Sequence, residues 1–147
     1  LKTITAFTLA HSITLALSVL GIVKLPSGSI EALIALTIIY LAFEIDSKDK
    51  LSKTPWLMAF GFGLLHGFGF AGALSEIGIA NDQLLLSLLF FNIGIEIGQL
   101  IMIPVFLLGI YLLSKIKLER ITYSSASYLL GGVGSYWFID RVIGIVI

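Results

Sequence analysis

The sequence predicts an all-α protein, a polytopic transmembrane helix bundle with about five spans, and three observations lead to this prediction. Of the 147 residues, 58% are hydrophobic and only 12% are charged, whereas soluble domains carry about a quarter charged residues. The mean hydropathy of +1.06 is too high for a surface that faces water throughout. The charges are confined to short stretches between apolar runs. Each run is close in length to a membrane-spanning helix, which has about 20 residues.

The apolar runs define the predicted spans, which together form a single transmembrane domain over residues 1–147. The spans are expected at about residues 3–23, 29–45, 55–79, 84–114 and 121–142. Pro55 suits the first position of a helix, and the fourth run is long enough to cross with tilt or to bend at Pro104. Because the chain begins at Leu1 and not at Met, we expect that an upstream segment is missing.

Basic residues predict the orientation. With five spans, the N-terminus and the loops at 46–54 and 115–120 share one side of the membrane, and this side carries most of the Lys and Arg residues. They are Lys2, Lys48, Lys50, Lys53, Lys115, Lys117 and Arg120. The other side has Lys24 and Arg141. Positively charged loops stay in the cytoplasm, so both loops are predicted to be cytoplasmic in a multi-pass protein of the bacterial inner membrane.

Several function classes have no support in the sequence. The net charge is zero and no basic patch occurs, so a nucleic-acid partner is not expected. The absence of cysteine removes disulfides and thiolate metal sites. No HExxH, Gly-x-Ser-x-Gly or nucleotide-binding loop is present, so the chain is not expected to be an enzyme. The expected partners are the lipid bilayer and either further copies of this chain or a larger membrane complex.

Ionisable residues inside the predicted spans are the main functional signal, because a charge at the bilayer centre is costly unless it has a partner. His11 lies a third to a half of the way along the first span, and His66 lies ~16 Å beyond Pro55 at the helical rise. Glu96 lies ~18 Å in from the opposite side by the same rise. The three residues are therefore predicted near one depth. Glu96 also shares a helix face with Asn92 and Gln99.

This convergence predicts a midplane metal site. Nitrogen and oxygen ligands without sulfur suit Ni²⁺, Co²⁺ or Zn²⁺ better than Cu(I), and we expect such an ion as a transported or bound species, with no covalent cofactor. The predicted ligands are His11, His66, Glu96 and Asn92. The predicted pathway or supporting residues are Glu31, Gln99, Thr8 and Ser12, with Glu31 at the mouth of a cavity about one turn below the outer surface.

The third span carries a run of glycines around His66. Ala59, Gly63, Gly67 and Ala71 recur every four residues, a pattern that lets a neighbouring helix approach closely. Gly63, Gly67 and Gly69 are therefore predicted to serve helix packing. The alternative is a local break in the helix that exposes carbonyl groups to a bound ion.

Two other functions remain open from the residues. The polar side chains could tie helices together in a non-transporting structural or assembly subunit of a larger membrane complex. His11 and His66 could also be the axial ligands of a haem, although the nearby carboxylate and amides fit this less well.

Four motifs resemble the HupE/UreJ family of bacterial membrane proteins, in order and over almost the whole chain. They are Phe7-Thr8-Leu9-Ala10-His11-Ser12, Glu31-Ala32-Leu33-Ile34-Ala35-Leu36, Phe62-Gly63-Leu64-Leu65-His66-Gly67-Phe68-Gly69 and Phe91-Asn92-Ile93-Gly94-Ile95-Glu96-Ile97-Gly98-Gln99. The resemblance implies a permease or metal-handling protein for Ni²⁺ or Co²⁺. Family members usually carry a further helix upstream with a histidine-rich motif, and this sequence has no match to it.

Overall fold

The structure is a computed structural model that describes the backbone of residues 1–47, 54–77 and 84–147. Within these ranges, the side chains of residues 46, 71–77, 84, 85 and 119 are outside the description. The described residues form five α-helices and no strand. The helices are α1 (Lys2–Val19), α2 (Ser27–Asp46), α3 (Pro55–Ile77), α4 (Leu84–Lys115) and α5 (Glu119–Val146). Lys48, Lys50 and Lys53, which the predicted orientation uses, lie outside the described residues.

Successive helices run in opposite directions through the bundle. At one end, the ammonium of Lys2 lies 4.3 Å from the ring centroid of Trp56, so α1 and α3 start together. At the other end, Arg141 near the end of α5 contacts Glu31 near the start of α2. This alternation is what a polytopic membrane protein requires when short loops connect consecutive spans.

The closest helix pairs are α1 with α3 and α2 with α5, and smaller contacts join α2 to α3, α1 to α4 and α4 to α5. The first pair depends on glycine. A Cβ atom at Gly67 would collide with the Thr14 hydroxyl and the His11 carbonyl, and one at Gly63 would collide with the Phe7 carbonyl. Gly69 makes a similar approach to Ile34 of α2. Helix α3 is continuous through this run, so the glycines allow close packing without a break in the described helix.

Among the residues that the structure describes, three helices are long and apolar enough to cross a membrane, where the sequence predicted five. They are Ser27–Ile45, Leu86–Lys115 and Arg120–Val146. Helix α1 falls short in mean hydropathy because its 18 residues include Lys2, His11 and several threonines and serines. Helix α3 is 23 residues long, but its side chains are described only as far as residue 70, so it stands outside this count.

The outer surface of the bundle is apolar. No residue in the apolar window of α4 is buried, and side chains such as Leu89, Phe90, Phe106 and Leu107 are more than half exposed. Soluble monomers rarely expose apolar patches larger than a few hundred Å². Lipid is the environment in which this surface costs nothing, so the fold is that of a membrane protein.

Candidate functional site

His11 lies in the centre of the bundle. Its side chain is 1% exposed, and neither ring nitrogen has a hydrogen-bond partner in the described part of the chain. Three aromatic rings surround it: Phe7 stacks at 5.9 Å between centroids, Phe91 stacks at 6.4 Å and Phe70 meets it edge-on at 5.5 Å. A buried polar atom without a partner costs free energy. His11 therefore keeps both ring nitrogens available for a hydrogen bond or a ligand, in an apolar environment.

His66 joins the same aromatic cluster from α3. Its ring lies 5.5 Å from that of Phe7 in an edge-on arrangement, so Phe7 contacts both histidines. The other neighbour is Thr37 of α2, whose hydroxyl oxygen lies 3.3 Å from Nε2 of His66. Gly63 and Gly67 on either side of His66 bring α3 against α1, which places the two imidazoles in one cluster.

The hydrogen-bond distances of Thr37 favour one tautomer of His66. The threonine hydroxyl has a single hydrogen, and it donates this hydrogen to the Ile34 carbonyl at 2.7 Å. At His66, the same oxygen must then accept a hydrogen bond from Nε2–H. The neutral imidazole consequently has its lone pair on Nδ1, and this is the atom that could ligate a metal ion.

A seam of polar side chains joins α1 to α4. The Ser12 hydroxyl lies 2.7 Å from both Oδ1 of Asn92 and the Thr8 carbonyl. One turn earlier on α1, the hydroxyl of Thr8 lies 3.2 Å from both Oε1 of Gln99 and the Ile4 carbonyl. We call Thr8, Ser12, Asn92 and Gln99 the α1–α4 seam. Glu96 lies between the two amides on α4 and lines a small cavity of about 230 Å³ with Thr8, Ser12 and Asn92.

Glu31 lies elsewhere. Its carboxylate is 3.2 Å from Arg141 and accepts a hydrogen bond from Ser27 at 2.6 Å. Arg141 also contacts Asp140 at 3.4 Å. Glu31 therefore ties the start of α2 to the end of α5, and it lines neither of the two cavities described here. The expectation that Glu31 lies at the mouth of a cavity stays a prediction.

The predicted site residues thus fall into two neighbouring groups and one outlier. The histidines share the aromatic cluster, whereas Asn92, Glu96 and Gln99 lie along the seam with Thr8 and Ser12, on the adjacent face of α1. In the ranges that the structure describes, no group of three or more His, Asp or Glu side chains is arranged to hold a metal ion. The reason is that the side chains leave α1 in different directions around its axis. Ser12 and Thr8 point towards the amides of α4, while His11 points into the aromatic rings.

Sequence reasoning missed Phe7 and Thr37. Thr37 is 5% exposed and was hidden within the apolar run of α2, where a lone threonine gives little signal. Phe7 is one of ten phenylalanines, and only its contacts distinguish it from a lipid-facing ring.

Alternating helices, an apolar outer surface and polar groups on the inner faces define a helical membrane protein. The chain belongs to the HupE/UreJ family: the family model described as HupE / UreJ protein matches residues 1–141, nearly the whole chain. The comparisons with curated proteins and with solved structures found no match.

Proposed function

We propose that this protein transports or handles a divalent transition metal ion, Ni²⁺ or Co²⁺, in the bacterial inner membrane, with all five helices spanning the bilayer. Membership of the HupE/UreJ family supports the metal, because the family resemblance implies nickel or cobalt permeation. The observation that carries the proposal is His11, whose two ring nitrogens are sealed in the bundle without a partner. A divalent ion would satisfy one of them.

His11 and His66 are the proposed ligands, with His66 offering Nδ1. Asn92 and Glu96 lie on α4, against the face of α1 next to His11, and in this proposal they complete the ligand set when α4 moves relative to α1. The hydrogen bonds of the seam are suited to such a movement, because interhelical hydrogen bonds in membranes average only about 0.6 kcal/mol. An incomplete resting site also suits transport, since an ion that binds too tightly cannot leave.

The direct test is metal content by elemental mass spectrometry on the full protein in detergent, followed by flux into proteoliposomes. The His11→Ala, His66→Ala double variant is compared with Ile13→Ala, a matched change at an exposed position of α1. We expect nickel or cobalt uptake by the wild type and Ile13→Ala, and loss of uptake in the double variant. Equal uptake in all three, or none in the wild type, would overturn the proposal.

A second function is favoured by the seam and the outer surface. Thr8, Ser12, Asn92 and Gln99 are already engaged with one another, as expected of side chains that only tie helices together, and the exposed apolar face of α4 could pack against another membrane subunit. Absence of flux together with unfolding caused by Asn92→Ala would favour this structural role.

Haem binding is the third possibility, and it has the least support. The Phe7 ring packs against both histidines. It therefore occupies space that a haem macrocycle between the two imidazoles would need. An absorption spectrum of the purified protein tests it, because bis-histidine haem gives an intense Soret band.

A further inference from the structure

A second, larger cavity leads towards His66 from one end of the bundle. It has a volume of about 460 Å³ and lies among α1, α2, α3 and α4. Thr3 and Pro55 line it near the starts of α1 and α3, and Glu44 lines it near the end of α2. His66 and Thr37 line it from deeper in the bundle. The cavity therefore extends from the membrane boundary that carries Lys2 and Trp56 to the site.

Polar groups occupy both ends of this cavity, although most of its wall is apolar. Glu44 is seven residues beyond Thr37 on α2, or ~10 Å along the helix at 1.5 Å per residue. The carboxylate also lies in the last turn of α2, where the partial negative charge of the helix end adds to its own. The ammonium of Lys2 lies over the Trp56 ring and does not line the cavity. Among the charged side chains that the structure describes, Glu44 lines the mouth, and its carboxylate attracts cations.

We propose that this cavity is a water-filled vestibule through which a hydrated divalent cation moves between Glu44, at the mouth, and His66, at the inner end. The inference rests on the proposed function for the identity of its cargo, whereas the vestibule itself can be tested without metal. At ~30 Å³ per water molecule, 460 Å³ would hold about 15 waters. This is enough for an ion with its first hydration shell.

The side chains at the inner end are suited to removing that shell. Thr37, His66 and Gln99 are polar residues that line the cavity, and Gln99 also belongs to the α1–α4 seam. An ion leaving the vestibule would thus meet residues of both groups, His66 of the aromatic cluster and Gln99 of the seam. A lipid acyl chain is the competing occupant, because the remaining wall is apolar.

Cysteine accessibility distinguishes water from lipid, and the chain is suited to it because it contains no cysteine. Ile38→Cys places a thiol on the cavity wall. Leu36→Cys, two residues away on α2, is the matched control, since Leu36 is 41% exposed on the outer surface and does not line the cavity. A charged methanethiosulfonate reagent is added to the full protein in proteoliposomes. Only a hydrated thiol ionises and reacts readily.

We expect Ile38→Cys to react at least ~10-fold faster than Leu36→Cys, because lipid suppresses thiolate formation. The fast reaction should require reagent on the side that carries Lys2 and Trp56. Glu44→Gln should slow a cationic reagent several-fold and leave an anionic one equal or faster. Equal slow reaction of both cysteines would overturn the vestibule and indicate a lipid-filled or closed cavity. Fast reaction that Glu44→Gln leaves unchanged would overturn the role of Glu44.

Metal protection separates this inference from the proposed function. Ni²⁺ or Co²⁺ should slow the modification of Ile38→Cys, and the His66→Ala variant should remove this protection. A fast reaction of the Ile38→Cys thiol, with no protection by metal and no metal flux, contradicts the proposed cargo and leaves the water-filled route established. Metal flux with both cysteines unreactive contradicts the vestibule and leaves the transport function.

Discussion

The ring of Phe7 stacks on the imidazole of His11, with 5.9 Å between centroids and 18° between planes. The two residues are one helical turn apart on α1, a spacing that brings side chains onto the same face. The same phenyl ring lies edge-on to His66 and lines the larger cavity. Phe7 is thus the shared neighbour of the vestibule-lining histidine and the sealed one.

Removing the Phe7 ring should expose His11. The chain contains two histidines, so in a His66→Gln background, diethyl pyrocarbonate reports on His11 alone. We expect Phe7→Ala to raise the rate of His11 modification about 10-fold or more, since a buried cavity of aromatic size opens towards the vestibule. Phe106→Ala, at a position 65% exposed on α4, is the control. An unchanged rate in Phe7→Ala would show that other residues seal His11.

Thr37→Val should change the tautomer of His66. The hydroxyl that accepts from Nε2–H is replaced by a methyl group of similar size, so the imidazole loses the partner that places the proton. Nitrogen-15 NMR of histidine-labelled protein should show Nε2–H in the wild type and a mixture in the variant. If a metal binds at Nδ1, its affinity should fall about 10–100-fold, the usual effect of removing such a supporting hydrogen bond. Thr37→Ser, which keeps the hydroxyl, should behave like the wild type.

Gly67→Ala should destabilise the α1–α3 pair. The added methyl group would collide with the backbone of α1 at the His11 carbonyl, and over-packing of this kind costs about 1–3 kcal/mol. Gly61→Ala on the same helix is the matched control, because a Cβ there meets nothing within 4 Å. Reversible unfolding in mixed detergent measures both. Equal stabilities of the two variants would contradict the close approach of α1 and α3.

The Glu31–Arg141 pair should contribute little to stability. Its side chains are 25% and 42% exposed respectively, and ion pairs of this kind are worth about 0.2–1 kcal/mol. A double-mutant cycle with Glu31→Gln and Arg141→Gln should give a coupling in this range that decreases with salt. Because Glu31 lines neither described cavity, Glu31→Gln should leave metal flux unchanged. A large loss of metal flux in Glu31→Gln would show that Glu31 belongs to the metal pathway.

Much of the fold could be predicted from the sequence because the length of an apolar run and the residues that begin or end a helix are local signals. Pro55 begins α3 and Leu84 begins α4, as the apolar runs indicated. The number of clear spans could not be predicted in the same way. Helix α1 carries polar residues on the face that packs against α3 and α4. These residues lower its mean hydropathy, although they are enclosed by neighbouring helices and do not face lipid.

The site could be predicted only in part. The helical spacing of Asn92, Glu96 and Gln99 indicated one inward face, and the structure places them along α1. Depth arguments placed His11 and Glu96 at a similar level, but depth does not give direction around the helix axis. His11 faces the rings of Phe70 and Phe91, whereas Glu96 lines the small cavity beside Ser12. The metal itself stays a prediction.

The sequence by itself determined that this is a helical membrane protein of the HupE/UreJ family, because apolar run length and ordered motifs are properties of the chain alone. Tertiary structure decided which polar groups meet. Thr37 reaches His66 from α2, Glu31 pairs with Arg141 from α5, and Phe7 packs against both histidines. The physical reason is that a helix fixes only the spacing of its own side chains, while the rotation and approach of its neighbours decide their partners; for α1 and α3, Gly63 and Gly67 set that approach.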